Sequence, residues 1–327
     1  MKSNGPMKNL SKIFSLLLVV VSTTFYSCQQ SANGNTGGEK TVVAENKSVD
    51  PYRPNTDWNN YWFQGKAELT SYKLKQSRYG EIHEGTIVNI FVTEDFSKGK
   101  QVKLNDPSSA GDDKLPILKL NQSIKFNTGI YPYSIMLSVF SPTDINNYPH
   151  AVKVTASIQE WCGMVYYQMN DKKNKFEIEQ RSYFEGEGDN NVSLDRVIQE
   201  DEIWNLIRLD PEKLPKGTMN VLPGTIFLRL AHKPLEPVTT NLGLQEINGV
   251  MVYTIDMPSL KRKLNIHYEK AFPYKIMSWE DTFPGIDGKI LTTTAVKIKD
   301  TMLDYWRTHT NADRILRDDL GIPRDTQ

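Results

Sequence analysis

The chain reads as a mainly β protein: a large curved antiparallel sheet or incomplete barrel, with one or two helical segments and a short C-terminal helix. Three observations predict this. Apolar and polar residues alternate through runs such as Thr86-Ile87-Val88-Asn89-Ile90-Phe91-Val92-Thr93, the period of a strand with one wet face. Turn-forming strings separate the runs, most clearly Asn170-Asp171-Lys172-Lys173-Asn174, and short turns join antiparallel neighbours. Sustained helical spacing is confined to a stretch after Ser193 and to the C-terminus. So large a sheet buries its apolar face by closing into a barrel, forming a sandwich or wrapping around its helices.

The elements follow in order. Asn55-Thr56-Asp57 offers a cap for a helical turn carrying Trp58, Tyr61 and Trp62. Leu69, Tyr72 and Leu74 alternate toward a turn at Tyr79-Gly80-Glu81, and the run from Thr86 completes a hairpin. Further strands are expected at Gln101–Leu104, Pro116–Phe126, Tyr133–Phe140, Ala151–Gln159, Gly163–Met169 and Lys175–Phe184. Ser193 opens the best helical stretch, with Leu194, Val197, Ile198, Trp204 and Ile207, ended by Pro211 and Pro215. Strands resume at Thr225–His232, Val250–Met257, Lys261–Tyr268, Tyr274–Trp279 and Lys289–Lys299, the last running on toward Trp306. A closing helix over Ala312–Leu320 is stopped by Gly321 and Pro323. The pattern is similar to periplasmic lipoprotein-carrier folds, a likeness of pattern that leaves function open.

The N-terminus carries an address. Lys2, Lys8 and Lys12 precede the apolar run Ile13–Val21, and Ser27 stands before Cys28. The run is far short of the roughly 20 residues that span a bilayer, and it fits a signal segment. The expected organisation is a lipoprotein signal peptide over 1–27, a lipidated flexible tether over 28–54 and a single β-rich domain over 55–327. Plain secretion with Cys28 idle and an uncleaved anchor are the alternatives, and Met7 is a second candidate start. Acyl chains on Cys28 make a membrane the expected partner, since two or more chains give stable anchoring. Gly34-Asn35-Thr36-Gly37-Gly38 marks the tether as flexible. By resemblance to sorting rules, Gln29 after the cysteine points to the outer membrane, facing the periplasm.

Composition removes several functions. Basic and acidic residues number 39 each, for a formal net charge of zero, which excludes the basic surface that nucleic acid requires. It equally removes a polybasic attachment to anionic lipids. The five histidines are scattered and form no metal-ligand spacing. The acidic strings Gly111-Asp112-Asp113 and Glu185-Gly186-Glu187-Gly188-Asp189 lack the ligand alternation of a calcium loop. No dinucleotide fingerprint, phosphate loop or nucleophile elbow occurs, so no cofactor is expected.

Cys162 has no intramolecular partner once Cys28 is lipidated. Read plainly it is a small buried strand residue, inert because apolar burial raises its pKa; read functionally it is the one candidate nucleophile. Tyr131, Tyr133 and Trp161 are candidate ligand-binding residues, because exposed aromatics stack on sugars or line apolar sites. Ordinary core packing is the alternative for all three, and Gly163 beside a buried Trp161 would permit a bend.

At Tyr61-Trp62-Phe63-Gln64-Gly65-Lys66-Ala67-Glu68, at Lys125–Tyr133 and at Gln159-Glu160-Trp161-Cys162-Gly163, the chain resembles a family of Gram-negative cell-envelope lipoproteins. The likeness covers nearly the whole mature chain. Members are often labelled septum formation inhibitor Maf, yet true Maf proteins are cytoplasmic nucleotide pyrophosphatases with a Ser-Pro-Arg-Arg type motif. Here the nearest string, Ser141-Pro142-Thr143-Asp144, lies mid-chain and lacks both arginines, so no Maf site residue carries over. The resemblance implies an envelope location and no activity. The expectation is a non-catalytic, lipid-anchored protein that binds an apolar ligand, a glycan or an envelope protein. An envelope hydrolase using Cys162 or an acidic pair, and a structural component of an envelope complex, are the alternatives.

Overall fold

A computed structural model describes residues 56–324; Cys28, the signal segment and the tether lie outside the described residues. The chain enters at helix α1 (Thr56–Trp62), whose Trp58 and Trp62 are buried. Strands β1 (Ala67–Arg78), β2 (Glu81–Ser97), β3 (Lys114–Thr128), β4 (Tyr131–Pro142), β5 (Lys153–Glu160), β6 (Gly163–Lys172), β7 (Lys175–Arg181) and β8 (Asn190–Asp195) follow as a run of antiparallel neighbours. After β9 (Ile198–Gln199) come helix α2 (Glu200–Leu209), β10 (Gly217–Leu222) and helix α3 (Thr225–Leu230). A second antiparallel run, β11 (Val238–Ile247), β12 (Val250–Met257), β13 (Arg262–Glu269), β14 (Ile276–Pro284) and β15 (Ile290–Leu303), returns to pair with β1. A short 3-10 turn at Asn311–Ile315 leads into α4 (Leu316–Asp319).

All of these strands belong to one 15-stranded sheet, in the order β8-β7-β6-β5-β4-β3-β2-β1-β15-β14-β13-β12-β11-β10-β9. Every pairing is antiparallel except β9 with β10. The sheet is curved, as α2 shows. Asn205 on that helix donates to the carbonyls of Leu118 in β3 and Val139 in β4, at 3.0 and 3.2 Å. Arg208 reaches Glu68 in β1, Trp204 meets Trp279 in β14, and Glu200 meets Arg262 in β13. From β4 to β13 a flat sheet would be about 29 Å wide, far more than one helix covers. The sheet therefore wraps α2 and stays open, with its two edge strands β8 and β9 separated in the chain only by Arg196 and Val197.

Inward residues alternate along each strand, as Tyr72, Leu74 and Gln76 do in β1 and Ile135, Leu137 and Val139 do in β4. They join α1 and α2 in one apolar core. The outer face is covered in two places, where the C-terminal segment lays Leu320 and Ile322 over Ala67, Leu69 and Val92, and where Tyr148 and Val152 pack with Phe96, Leu115 and Ile117.

Several expectations need correction. The helix does not open at Ser193: residues 190–195 form the edge strand β8, where Val192 and Leu194 pack on the core and oppose Ile178 and Phe176. The helix begins at Glu200, where the Glu202 carboxylate accepts from the Gln199 N–H at 3.1 Å. Thr225–Leu230 is a helix rather than a strand, because a short apolar run fits either and Asp201 caps its first turn. Gln101–Leu104 contributes one isolated bridge, Phe96 with Lys103, rather than a strand. Strands β10 and β11 had no counterpart in the sequence reading; Gly217, Asn220, Asn241 and Gly243 dilute their β signal.

Candidate functional site

Two ion-pair networks fix α2 inside the sheet. At its C-terminal end, Arg208 makes a two-pronged pair with Glu68 at 2.6 and 2.7 Å, and Tyr61 also donates to Glu68. Both charged groups are buried. Burial alone would raise the Glu68 pKa, but the Arg208 guanidinium outweighs it and holds the carboxyl below its ordinary range. Arg208 also lies over the rings of Trp62 and Phe91, at 5.1 and 4.7 Å. This end is plugged.

At the N-terminal end of α2, Arg262 bridges Glu200 and Asp281, with contacts of 2.7 Å to the first and 2.8 and 2.9 Å to the second. Glu200 accepts from the Gly224 N–H at 2.9 Å, and a Cβ on Gly224 would fall 2.5 Å from a Glu200 oxygen, so only glycine fits there. Asp201 accepts from the Thr225 N–H at 3.0 Å. Burial pushes the Asp201 carboxyl up to about 7, against the lowering effect of its Thr225 hydrogen bond. These groups border an internal cavity of about 80 Å³, room for a few waters rather than a substrate. Glu200, Asp201 and Asp281 are thus committed to holding α2 and α3.

The other feature is an open mouth. The turns β1–β2, β3–β4, β5–β6, β7–β8 and β14–β15 all lie at one end of the sheet, as the strand registers require. There a pocket of about 400 Å³ is lined by residues that include Arg78, Tyr79, Leu230, His232, Lys233, Phe283 and Ile286. Arg78 is buried. Its guanidinium donates to the Leu230 carbonyl, to the Tyr133 hydroxyl at 3.4 Å and to the Tyr79 hydroxyl at 3.3 Å. Among the described residues no carboxylate pairs with it. The Tyr79 and Tyr133 hydroxyls lie 2.9 Å apart, and Tyr131 donates to Tyr79 at 3.2 Å. Burial opposes ionisation of Tyr79, but hydrogen bonds with Tyr131, Tyr133 and Arg78 prevail and hold its hydroxyl below the ordinary range.

The structure brings together the three aromatic candidates. Tyr133 stacks on Phe126 at 4.7 Å and is buried, whereas Tyr131 stacks on the exposed Trp161 at 6.1 Å. Cys162 is not a buried strand residue. It sits exposed at the β5–β6 turn beside an exposed Trp161. Its N–H donates to Glu160 at 2.7 Å, and that carboxylate, through a hydrogen bond and its charge, raises the thiol pKa. Gly163 serves close approach, since a Cβ there would lie 2.7 Å from the Tyr183 ring. His83, His150 and His232 bond instead to the Arg78 carbonyl, Glu202 and Glu187. A base poised on Cys162 is therefore missing from these contacts.

Arg78 and Tyr79 were missed by the sequence reading. A large apolar or aromatic residue placed in a two-residue turn, as at Tyr79 and Ile130, was the available signal. Among the described residues no cluster of three or more metal-ligating side chains occurs, and no helix is long and apolar enough to cross a membrane. No family model matches the chain, and no curated protein matches its sequence.

Proposed function

We propose that this is a non-catalytic cell-envelope protein, anchored through lipid on Cys28, whose mouth binds an amphipathic ligand bearing an anionic group. One observation carries the reading: Arg78 is a buried cation with no carboxylate partner, ringed by tyrosine hydroxyls, at the wall of a pocket of about 400 Å³. Leaving a buried charge uncompensated is costly, and an anion would offset that cost. The apolar walls at Leu230, Phe283 and Ile286 suit the other half of such a ligand. By contrast, in the pocket of about 300 Å³ at the opposite end Glu94 is already paired with both Lys103 and Lys119.

Titration of residues 29–327 with dodecyl phosphate, with dodecanol as the uncharged control, tests the reading by native mass spectrometry. The expected result is one bound dodecyl phosphate, weaker binding of dodecanol, and a loss of about tenfold or more in Arg78→Met. Tyr133→Phe, which removes one hydroxyl and keeps the ring, should give a smaller loss in the same direction. Equal binding of both probes, or undiminished binding in both variants, would overturn it.

A further inference from the structure

Apart from Pro258–Lys261 between β12 and β13, whose Leu260 packs against the core, the five turns at the mouth share a property that the pocket does not need. Each carries a large apolar side chain exposed to solvent: Tyr79 at 51%, Ile130 at 84%, Trp161 at 66%, Tyr183 at 66% and Ile286 at 69%. We infer that these tips form a membrane-docking rim, and that the surface they enter is a lipid bilayer. The inference rests on the reading of the protein as an envelope ligand-binding protein, and it adds where the mouth meets its ligand.

Four observations favour lipid over a protein surface. The tips project from separate turns around an opening. A stable protein partner wants roughly 800 Å² of continuous, complementary surface on each side, whereas fluid lipid needs no matched shape. Three of the five tips are tyrosine or tryptophan, the residues that settle at membrane–water interfaces because a ring and a polar atom meet different phases there. Three carboxylates in the same turns fold back onto the protein, while Glu185 stays exposed. Glu160 accepts from the Cys162 N–H at 2.7 Å, Asp287 from the Lys289 N–H at 3.1 Å, and Glu187 is held by His232 at 2.7 Å.

The chain outside the described residues supplies the fourth. Residues 29–55 separate Cys28 from α1. A chain of that length spans at most about 90 Å when fully extended. Helix α1 packs at the opposite end, where Thr93 donates to the Trp62 carbonyl at 2.6 Å, so the attachment leaves the rim clear. The strand β1 is about 40 Å long, so the tether lets the rim turn onto the bilayer that holds the anchor. Without Lys2, Lys8 and Lys12, residues 29–327 hold 36 basic and 39 acidic residues, so docking should depend on apolar insertion rather than on anionic lipid.

The test is flotation of residues 29–327 with phosphatidylcholine vesicles. This piece lacks Cys28 and its acyl chains, and it retains the compact unit Ser48–Gln327. The parent should float, and raising NaCl from about 0.1 to about 0.5 M should change the bound fraction less than about twofold. The triple variant Ile130→Ser, Trp161→Ser, Ile286→Ser should lose about tenfold or more of the bound fraction with an unchanged melting temperature. The single variant Trp161→Ser should lose part of it and so covers the case of a misfolded triple variant. Failure of the parent to float, or equal flotation of parent and both variants, would overturn the inference. So would a parent that ignores vesicles while its rim cross-links stoichiometrically to an envelope protein. Arg78→Met separates this inference from the ligand reading, because it should keep vesicle flotation while losing dodecyl phosphate.

Discussion

The two ends of the sheet are built from the same hairpins and finished in opposite ways. At the far end the longer β4–β5 and β13–β14 connections tuck Tyr148, Phe272 and Tyr274 against the protein, and the short turns are Lys173-Asn174 and Asn248-Gly249, with Lys98-Gly99-Lys100 opening the β2–β3 connection. These are residues that tolerate left-handed backbone and prefer water. Ile247, Val102 and Trp306 interrupt that polarity, each 45% exposed. At the mouth, five turns each expose an aromatic or an isoleucine. Turn geometry does not demand this: Tyr79 and Asn248 have the same φ of 52°, yet one is an exposed ring and the other an amide. The difference teaches that side-chain choice at the mouth answers to something other than folding. The interiors differ too, since the far end is plugged by α1 and the Glu68–Arg208 pair, whereas the mouth keeps an open pocket and an unpaired arginine.

The largest effect should come from breaking the plugged end. Arg208→Met leaves Glu68 buried without its partner and should cost about 3–5 kcal/mol in urea unfolding. Trp161→Ser at the mouth should stay within about 0.5 kcal/mol of the parent. Comparable losses at both positions would erase the contrast between a structural end and a working end.

A smaller effect, with a pH signature, belongs to α3 beside the mouth. The Asp201 carboxyl is raised by burial to about 7 in the fold, above its ordinary value when unfolded. The folded state therefore holds a proton that the unfolded state releases. Its stabilising contribution is present below about pH 4 and is lost as pH rises to about 7, a change on the order of 4 kcal/mol in all, of which about 3 kcal/mol falls above pH 5. Asp201→Asn should flatten that slope between pH 5 and 8 in thermal unfolding. A parent whose stability rises steadily over this interval, with the same rise in the variant, would contradict the assignment.

Most of the hairpins were legible because alternation and turn residues are local signals. Lys173-Asn174 and Tyr79-Gly80 fall where the sequence places turns. The final meander from Val250 was legible for the same reason. Helix α3 was not, because Thr225-Ile226-Phe227-Leu228-Arg229-Leu230 has no period of its own and its cap, Asp201, comes from another element. The stretch from Ser193 misled because Leu194, Val197 and Ile198 fit helical spacing while Val192 and Leu194 already fit a strand. At the candidate site, Tyr131, Tyr133 and Trp161 could be picked out by type. Arg78 could not, since its significance lies in having no carboxylate nearby, and distance in space is what a sequence withholds.

Hydrogen–deuterium exchange on residues 29–327, with and without dodecyl phosphate, reads both ends of the sheet in one experiment. The account predicts slowed exchange at residues 77–80, 230–233 and 284–289, with residues 172–175 and 248–249 unchanged. Protection centred on the far-end turns, or no protection at the mouth at saturating dodecyl phosphate, would contradict it.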